Sequence, residues 1–376
     1  MVKGDIMDCE ELLAKNIVNY SLKIAKNDRV LITYQSTKAH KLIKFLIKYI
    51  NKASGVCFIN YEDIELGAYL KEESTNDRIN IIKKYKKFEL NNFDVFINIK
   101  YNLNDYESKN IDPKITKKIL EETYDTHNKV VNERKWLLLN YPSIIDAYKA
   151  KMRIDDFYKY SFDVMNINYE EMLNRIKPLK NLMEKTDKVR IVAKDTDITF
   201  SIKNMKAIPC VGNYNIPDGE IYTAPVKDSV NGVITYNTPS TYRSEVFTKV
   251  KLKFKNGKII DASCGTGNIE KLLEIFQTDE GARYIGEFSF GLNPKIMYPM
   301  GDILYDEKII GSIHFTPGAA YKDCYNGNDS NVHWDLVLIQ REEFGGGEIY
   351  FDDKLIRKNG IFVLDELKPL NYDIEK

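Results

Sequence analysis

Two hydrophobic patterns divide the chain. In its first half, apolar runs such as "RVLITYQ", "GVCFINY", "FDVFINIKY" and "KWLLLNYPS" alternate with segments in which apolar residues recur every three or four positions. Short apolar runs are typical of buried strands, and the longer spacing is typical of amphipathic helices. Helices are predicted near residues 8–27, 39–53, 64–88, 112–130, 143–151 and 154–184, the last broken near Pro178. Strands that alternate with helices predict an α/β domain with an open, mostly parallel sheet covered on both faces.

The pattern changes near residue 189. "KVRIVAKDTDITFSIK" predicts a hairpin, and "GVITYN", "EVFTKVKLKFKNGKIIDAS" and "KIIGSIHF" read as strands separated by turn residues. Asn256-Gly257, between two alternating runs, is a strong hairpin signal. One helix is predicted in this part, at "NIEKLLEIFQTDEGARY". We therefore expect 1–186 to form the α/β domain and 187–376 to form an α+β, mainly antiparallel, β-rich domain.

Composition narrows the class of protein. Lys+Arg and Asp+Glu balance at 55 each among 376 residues, so no overall field favours nucleic acid or an anionic membrane as a partner. No signal peptide is recognisable, and no apolar run approaches the roughly 20 residues that span a bilayer. The cysteines are scattered and never form a C-x-x-C pair, which favours free thiols in a reducing compartment. We expect a soluble, cytoplasmic protein. The cysteines are Cys9, Cys57, Cys210, Cys264 and Cys324.

One glycine-rich segment suggests a different chemistry. "KIIDASCGTGNIEKLLEIF" resembles the first motif of Rossmann-like methyltransferases, with Asp261, Gly265 and Gly267 as the analogues of the residues that approach S-adenosylmethionine. That motif should open a parallel α/β sheet, whereas here it follows a predicted hairpin. The alternative reading, a strand, a turn and a capped helix, is therefore favoured, and an S-adenosylmethionine-dependent methyltransferase is the weaker functional alternative.

Polar residues interrupt the apolar strand "SNVHWDLVLIQ". Residues two apart on a strand point to the same face, so His333 and Asp335 should project together, opposite Trp334 and Leu336. An imidazole beside a carboxylate on a rigid face suits a metal ion or proton transfer. A surface strand with a simple His–Asp hydrogen bond is the alternative for this pair.

Similar residues occur in other apolar segments of the second half. His314 ends "KIIGSIHF", Glu220 begins "EIYTAP", and Glu287 lies in "YIGEFSFGL". A buried carboxylate is expensive unless it is paired or binds a metal, although each residue taken alone could be a salt-bridge partner. Together with His333 and Asp335 they form a nitrogen and oxygen donor set that suits zinc, cobalt or manganese.

The size of this set bears on the number of ions. Five ligands are too many for one catalytic zinc and fit two ions if one carboxylate bridges them. The remaining histidines, His40 and His127, lie in helical or polar segments and are interpreted as solvent-facing or structural.

At these residues the chain resembles the M29 family of metallo-aminopeptidases, of the thermophilic aminopeptidase type. The matching segments follow the family's order and are "NIPDGEIYTAPVKDSVNGVI", "DEGARYIGEFSFGLNPKI", "ILYDEKIIGSIHFTPGAAY" and "NDSNVHWDLV". The resemblance implies that Glu220, Glu287, His314, His333 and Asp335 hold two divalent ions (zinc, cobalt or manganese). It also implies that Tyr321 is the catalytic tyrosine.

The resemblance further implies an activity. The expected reaction is hydrolysis of the N-terminal peptide bond of a short peptide by a metal-activated water, with Tyr321 donating a hydrogen bond to the developing oxyanion. Glu220 and Glu287 both remain candidates for the bridging ligand and the general base. We expect a homodimer in which the first domain helps to enclose the site. A catalytically silent peptide-binding relative is the other alternative.

Two segments depart from the family pattern. Where the family commonly has His-x-Ala-Leu-Gly, this chain has "HFTPG", so Pro317 replaces an aliphatic residue. Gly318 and Tyr321 stay in register, and an altered pocket shape is therefore expected rather than lost metal binding. The "SCGTGN" loop replaces a segment that is typically charged.

Overall fold

The computed structural model describes residues 7–104, 106–243 and 245–372. Within these ranges the chain divides into two compact units. The first contains the residues up to Asn166 together with Gly212–Pro217, and the second contains Ile167–Val211 and the residues from Asp218 onward. The helix Tyr169–Met183, which precedes the predicted boundary between residues 186 and 187, lies in the second unit. The predicted division of labour between an enclosing domain and a metal-binding domain stays a prediction.

The first unit is built around a parallel sheet. Its strands, numbered along the chain, are β1 (Arg29–Tyr34), β2 (Val56–Tyr61), β3 (Val95–Tyr101), β4 (Lys135–Tyr141) and β8 (Asn215–Ile216). Its α-helices are α1 (Cys9–Asn16), α2 (His40–Lys52), α3 (Ile64–Glu72), α4 (Asn76–Asn92), α5 (Pro113–Glu133), α6 (Ile144–Lys149) and α7 (Ile154–Met165). The strand order is β2-β1-β3-β4-β8, and each neighbouring pair runs parallel. The α/β fold predicted for this part of the chain is confirmed.

The helix predicted over 154–184 is two helices. α7 ends at Met165, and α8 (Tyr169–Met183) begins after Asn168, whose side chain accepts a hydrogen bond of 3.0 Å from a backbone N–H of the first turn. An N-cap asparagine begins a new helix by pairing an N–H that has no partner within the helix. Pro178 lies inside α8, so the predicted break at Pro178 is wrong.

The second unit is rich in antiparallel strands, as predicted. Its longer strands are β5 (Lys188–Ala193), β6 (Thr196–Ser201), β10 (Asn231–Thr235), β13 (Lys251–Lys255), β14 (Lys258–Ser263), β15 (Ile285–Gly291), β16 (Ser312–Pro317), β18 (Gly347–Phe351) and β19 (Lys354–Lys358). Its shorter strands are β7 (Ile208–Cys210), β9 (Glu220–Thr223), β11 (Ser240–Tyr242), β12 (Glu245–Phe247), β17 (Val337–Ile339) and β20 (Ile361–Phe362). Besides α8, its α-helices are α9 (Ile269–Phe276) and α10 (Ile303–Asp306).

These strands form a large sheet, a smaller sheet and a hairpin. The large sheet has the order β14-β13-β10-β6-β5-β18-β19-β20, the smaller sheet has the order β17-β16-β15-β9-β7, and β11 pairs with β12. Aromatic rings join the two sheets: the ring of Phe200 on β6 lies 5.0 Å from the rings of both Phe288 and Phe315 on the smaller sheet. Both of the latter rings are fully buried, and replacing such a side chain by alanine typically costs about 3–5 kcal/mol.

The alternation along β15 separates this core from a polar face. Phe288 and Phe290 point toward the large sheet, so Glu287 and Ser289 must point the other way. All four side chains are buried. The opposite face of the smaller sheet is therefore both buried and polar, and it is there that the predicted ligands are found.

The predicted turn at Asn256-Gly257 is confirmed. Both residues have positive φ, at 49° and 81°, as the hairpin turn between β13 and β14 requires. β14, which carries the methyltransferase-like segment, is the edge strand of an antiparallel sheet. A glycine loop of the methyltransferase or dinucleotide-binding type follows a strand of a parallel sheet. Gly265 and Gly267 instead follow a strand of an antiparallel sheet.

The five cysteines, all within the described part of the chain, are free thiols, as their spacing predicts. Across the same residues, no helix combines the length and the apolar character that crossing a bilayer requires.

Candidate metal centre

Three neighbouring strands bring polar side chains to the buried face of the smaller sheet. In the register of β15 and β16, Glu287 lies opposite Thr316 and Ser289 lies opposite His314. In the register of β15 and β9, Gly291 lies opposite Glu220. Residues directly opposite each other share a face, so Glu220, Glu287 and His314 project together although 94 residues of sequence separate the first from the last.

The segment that carries His333 and Asp335 joins this face in an irregular way. The predicted strand is too long, because the regular ladder begins only at Val337. His333 instead forms an isolated bridge with Gly318, and the backbone N–H of Phe315 donates to the carbonyl of residue 336 at 3.1 Å. The segment thus runs beside β16, and both side chains reach the same face as His314.

Gly318 permits this close approach. Its φ is +112°, and a Cβ at this position would lie 2.0 Å from the carbonyl oxygen of Val332. A non-glycine residue would be both strained and in steric conflict there. Pro317, the departure from the family pattern, pairs with Ile285 at the end of β16, and its carbonyl accepts a 3.1 Å hydrogen bond from the N–H of Trp334.

The predicted ligands lie close together. His314 Nε2 is 2.9 Å from Glu287 Oε1 and 3.2 Å from Glu220 Oε2. His333 Nε2 is 3.3 Å from Asp335 Oδ1 and 3.5 Å from Glu287 Oε2. The two oxygens of Glu287 therefore face different histidines, and Glu287 is 3% exposed.

Tyr321 lies at the edge of this cluster. Its ring centroid is 4.8 Å from that of His333 and 5.4 Å from that of Tyr222. The residue is 47% exposed, so its ring leans on a candidate ligand while part of it faces solvent. The structure thus brings together all six residues that the sequence analysis singled out for this site.

Four further polar residues belong to the same surroundings and were not predicted: Ser289, Glu307, Lys308 and Thr316. Thr316 donates a 2.7 Å hydrogen bond to Asp335, and Ser289 donates one of 3.2 Å to Glu220. The Lys308 ammonium is fully buried, contacts the Glu307 carboxylate and lies 3.9 Å from Glu220 Oε1. In the sequence, the charged triplet 306–308 resembles a solvated turn. Its position just before an apolar strand is the signal that could have indicated a place beside the buried ligands.

The carboxylates of the cluster favour positive charge on the neighbouring histidines. Burial opposes protonation of His314, but Glu287 and Glu220 outweigh it and raise the pKa of His314 to about 10. Burial likewise opposes protonation of His333, yet Asp335 and Glu287 raise its pKa to about 10. Burial raises the pKa of Glu220 and of Glu287 above the usual range for glutamate.

Asp335 shows the opposite shift. Burial favours its neutral form, but the neighbouring His333 and the hydrogen bond from Thr316 outweigh burial and hold the pKa of Asp335 below its usual range. The carboxylate is therefore ionised across the physiological range, as a ligand must be.

The hydrogen bonds of the two imidazoles fit a bound cation. His314 Nδ1 donates to the carbonyl of Glu307 at 3.1 Å, and His333 Nδ1 donates to the carbonyl of Ala319 at 2.9 Å. Each neutral ring then turns the lone pair of Nε2 toward carboxylate oxygens, which is repulsive without a cation between them. His333 Nε2 is also a buried atom without a hydrogen-bond partner. Such carbonyl-anchored histidines are typical metal ligands.

Among the described residues, three groups have ligand atoms within 4.8 Å of one another. Two of them divide the predicted set: Glu220 with Glu287 and His314, and Glu287 with His333 and Asp335. Glu287 is common to both. The third group combines Cys210, Asp218 and Glu220; Cys210 on β7 lies directly opposite Glu220 on β9.

The other two histidines lie outside this cluster. His40 begins α2 and His127 lies in α5, both exposed and both in the first unit. His40 packs edge-to-face against Tyr34. This placement agrees with their interpretation as solvent-facing or structural residues.

Comparison with known proteins identifies relatives of the chain. A family model described as thermophilic metalloprotease (M29) matches residues 10–360. Aminopeptidase 2 from Geobacillus stearothermophilus is 33% identical over 147 residues, which cover 34% of this chain. The chain aligns with about a third of that relative's length (34%).

Solved structures resemble the chain over nearly its full length. Wild-type AmpT from Thermus thermophilus matches with a TM-score of 0.76 at 16% identity, covering 95% of this chain and 99% of that chain. The 2,5-dihydroxypridine dioxygenase from Pseudomonas putida KT2440 matches with a TM-score of 0.62 at 13% identity, covering 96% and 99%. At such identities the likeness shows a shared fold and leaves the activity open.

Proposed function

Because the chain belongs to the thermophilic metalloprotease (M29) family, we propose that it is a two-metal aminopeptidase that hydrolyses the N-terminal peptide bond of short peptides. The observation that carries the proposal is the convergence of two histidines and three acidic residues on one buried sheet face. Their distances, from 2.9 to 3.5 Å between facing nitrogen and oxygen atoms, are those of a preformed ligand set.

The ligands divide into two overlapping groups. Glu220 and His314 would hold one ion, His333 and Asp335 would hold the other, and Glu287, which is common to both groups, would be shared by the two. When bound, the divalent ions (zinc, cobalt or manganese) supply Lewis acidity, which lowers the pKa of water and polarises a carbonyl. The nitrogen and oxygen donors suit each of these metals.

The remaining residues position the reacting groups. Tyr321, held against His333, donates a hydrogen bond to the oxygen of the scissile carbonyl as negative charge develops on it. Partial burial and the nearby carboxylates raise the pKa of Tyr321 above its usual range, so the phenol keeps its proton at neutral pH. Thr316 fixes the orientation of Asp335 through its 2.7 Å hydrogen bond.

The same site accounts for the proposed substrate. The free α-amine of a peptide, in its neutral form, has a nitrogen lone pair that a bound divalent ion would accept. An N-acetylated end has no such lone pair. We extend the proposal to a cytoplasmic homodimer in which the first unit lets only short peptides reach the metal centre.

Two rivals make different predictions. The fold is shared with a solved structure named as a dioxygenase, and mononuclear iron oxygenases use two histidines and one carboxylate on one ion. In the described part of the chain, each of the two groups that contain Glu287 has one histidine, which favours the hydrolase. A catalytically silent peptide-binding relative would keep the metal and bind peptides without cleaving them.

The test combines metal analysis with a substrate panel. Purified protein is stripped with a chelator, its metal content is measured, and zinc, cobalt, manganese or iron(II) is added back. Peptide binding and oxygen consumption are measured beside hydrolysis. We expect hydrolysis of leucyl-arylamide and of an unblocked dipeptide to disappear with the metal and to return with it. An N-acetylated dipeptide and an intact folded protein should be poor substrates.

Each rival has its own outcome in this experiment. Undiminished hydrolysis after verified metal removal would refute the metal centre. Metal binding and peptide binding without turnover would favour the silent relative. Rapid cleavage of the acetylated peptide would contradict amine recognition, and oxygen consumption with iron would favour the oxygenase.

A further inference from the structure

A buried lysine lies beside the proposed metal ligands. Lys308 is 0% exposed, and its ammonium contacts the Glu307 carboxylate and lies 3.9 Å from Glu220 Oε1. An ammonium out of reach of water is costly unless anionic groups surround it. Its counter-charges are residues of the candidate centre itself, so this lysine is part of the charge balance of that centre.

The two oxygens of Glu220 face different cations. Oε2 accepts a hydrogen bond from Ser289 at 3.2 Å and lies 3.2 Å from His314 Nε2, on the side of the predicted ligands. Oε1 is turned toward Lys308. The carboxylate is therefore held in one orientation, with one oxygen for the metal side and one for the lysine.

Glu220, the neighbour of Lys308, also belongs to a group formed with Cys210 and Asp218. The ligand atoms of these three residues lie within 4.8 Å of one another, which is close enough for them to share a cation. The charge of Lys308 acts on each of them. The positive charge that this group attracts is thus already supplied by the protein.

We propose that Lys308 is a positioning residue that serves as a built-in cation: it fixes the orientation of Glu220 and keeps the group of Cys210, Asp218 and Glu220 from binding a metal ion of its own. The inference rests on the proposed two-metal function, because it assigns Glu220 to that centre. It predicts that removal of the lysine charge opens a site for a soft divalent ion, since thiolate is a soft ligand.

The test uses cadmium, whose bonds to thiolate absorb in the ultraviolet. Wild-type protein, Lys308→Met, Lys308→Arg and the surface control Lys354→Met are stripped of metal, loaded with cadmium, and analysed for cadmium per chain. We expect Lys308→Met to bind one ion more than wild type, with a thiolate absorption band that disappears when Cys210→Ser is added. Lys308→Arg, which keeps the charge, and Lys354→Met should behave like wild type.

A second measurement does not depend on the folding of a Lys308 variant. The cadmium difference spectra of wild type and Cys210→Ser should coincide, because Lys308 excludes the metal from Cys210. A Cys210-dependent band in wild type would overturn the proposal, as would an unchanged cadmium count in folded Lys308→Met. A wild-type protein that binds no ion would refute the two-metal centre, an outcome separate from both of these.

Discussion

Replacing Glu287 by glutamine should empty both metal positions, whereas changing an outer ligand should empty one. Glu287 directs Oε1 to His314 at 2.9 Å and Oε2 to His333 at 3.5 Å. Glutamine keeps the size of the side chain but removes its charge and one acceptor oxygen. Asp335 lies in one ligand group and Glu287 in both, so Asp335→Asn should keep the ion held by Glu220 and His314.

The expected size of the effect follows from linkage. An ion present at one hundred times its dissociation constant stabilises the folded state by about 2.7 kcal/mol. The unit that holds the ligands has roughly 200 residues, for which each kcal/mol shifts the melting temperature by about 2–4 °C. Each ion should therefore raise the melting temperature by about 5–11 °C, and two ions by about twice as much.

Scanning calorimetry of metal-free protein, repeated with added zinc, measures this shift. Wild type and the surface control Glu366→Gln should show the full increase, Asp335→Asn about half of it, and Glu287→Gln almost none. Equilibrium dialysis with metal analysis should give the matching counts. If Glu287→Gln kept the full thermal shift and both ions, the assignment of Glu287 as the shared ligand would be wrong.

Three further predictions concern the surroundings of the ligands. Tyr321→Phe should retain its metals and lose about 10²–10³-fold in kcat, whereas Tyr325→Phe, a comparably exposed tyrosine, should not; full turnover in Tyr321→Phe would exclude the proposed role. Thr316→Ala, which restores the alanine of the family pattern, should weaken metal binding by about tenfold, as measured by chelator competition, and unchanged affinity would make the Asp335 hydrogen bond irrelevant. Burial raises the pKa of Asp306 to about 8, so its neutral carboxyl favours folding at low pH. This contribution to the free energy of unfolding is lost as the pH rises from about 4 to 8, at up to about 1.4 kcal/mol per pH unit. Denaturant titrations of Asp306→Asn should show a weaker loss over that range, and parallel pH profiles would contradict the shift.

The ligand set was predictable because its residues violate a strong local pattern. His314 and Glu287 occupy strands in which every residue is buried, and a charged side chain in such a strand requires a partner. The alternation along β15 places Glu287 and Ser289 opposite the phenylalanines, which a period of two predicts directly. The sequence did not reveal that Glu287 lies in both ligand groups, since that depends on the register between β9, β15 and β16.

The misjudged features depend on local hydrogen bonds or on tertiary context. Asn168 begins a new helix in a region that hydrophobic spacing alone reads as continuous, and Pro178 is tolerated inside that helix. The strand of His333 is shortened because Gly318 lets the segment approach β16 closely without a regular ladder. Lys308 follows two acidic residues and resembles a surface turn; its burial follows from the anionic cluster that receives it.

The charge balance of the candidate centre explains how the buried polar face of the smaller sheet is tolerated despite the free energy of desolvating its charges. Glu220, Glu287, Glu307 and Asp335 surround the centre, and Lys308 compensates one of these four carboxylates when all are ionised. Without metal, the imbalance is met by protonation, which is the direction of the raised pKa values of both histidines. Bound cations would release those protons and restore neutral imidazoles as ligands. The free energy of folding and the occupancy of the centre are therefore linked, and neither the histidines nor the lysine can be interpreted as independent ion pairs.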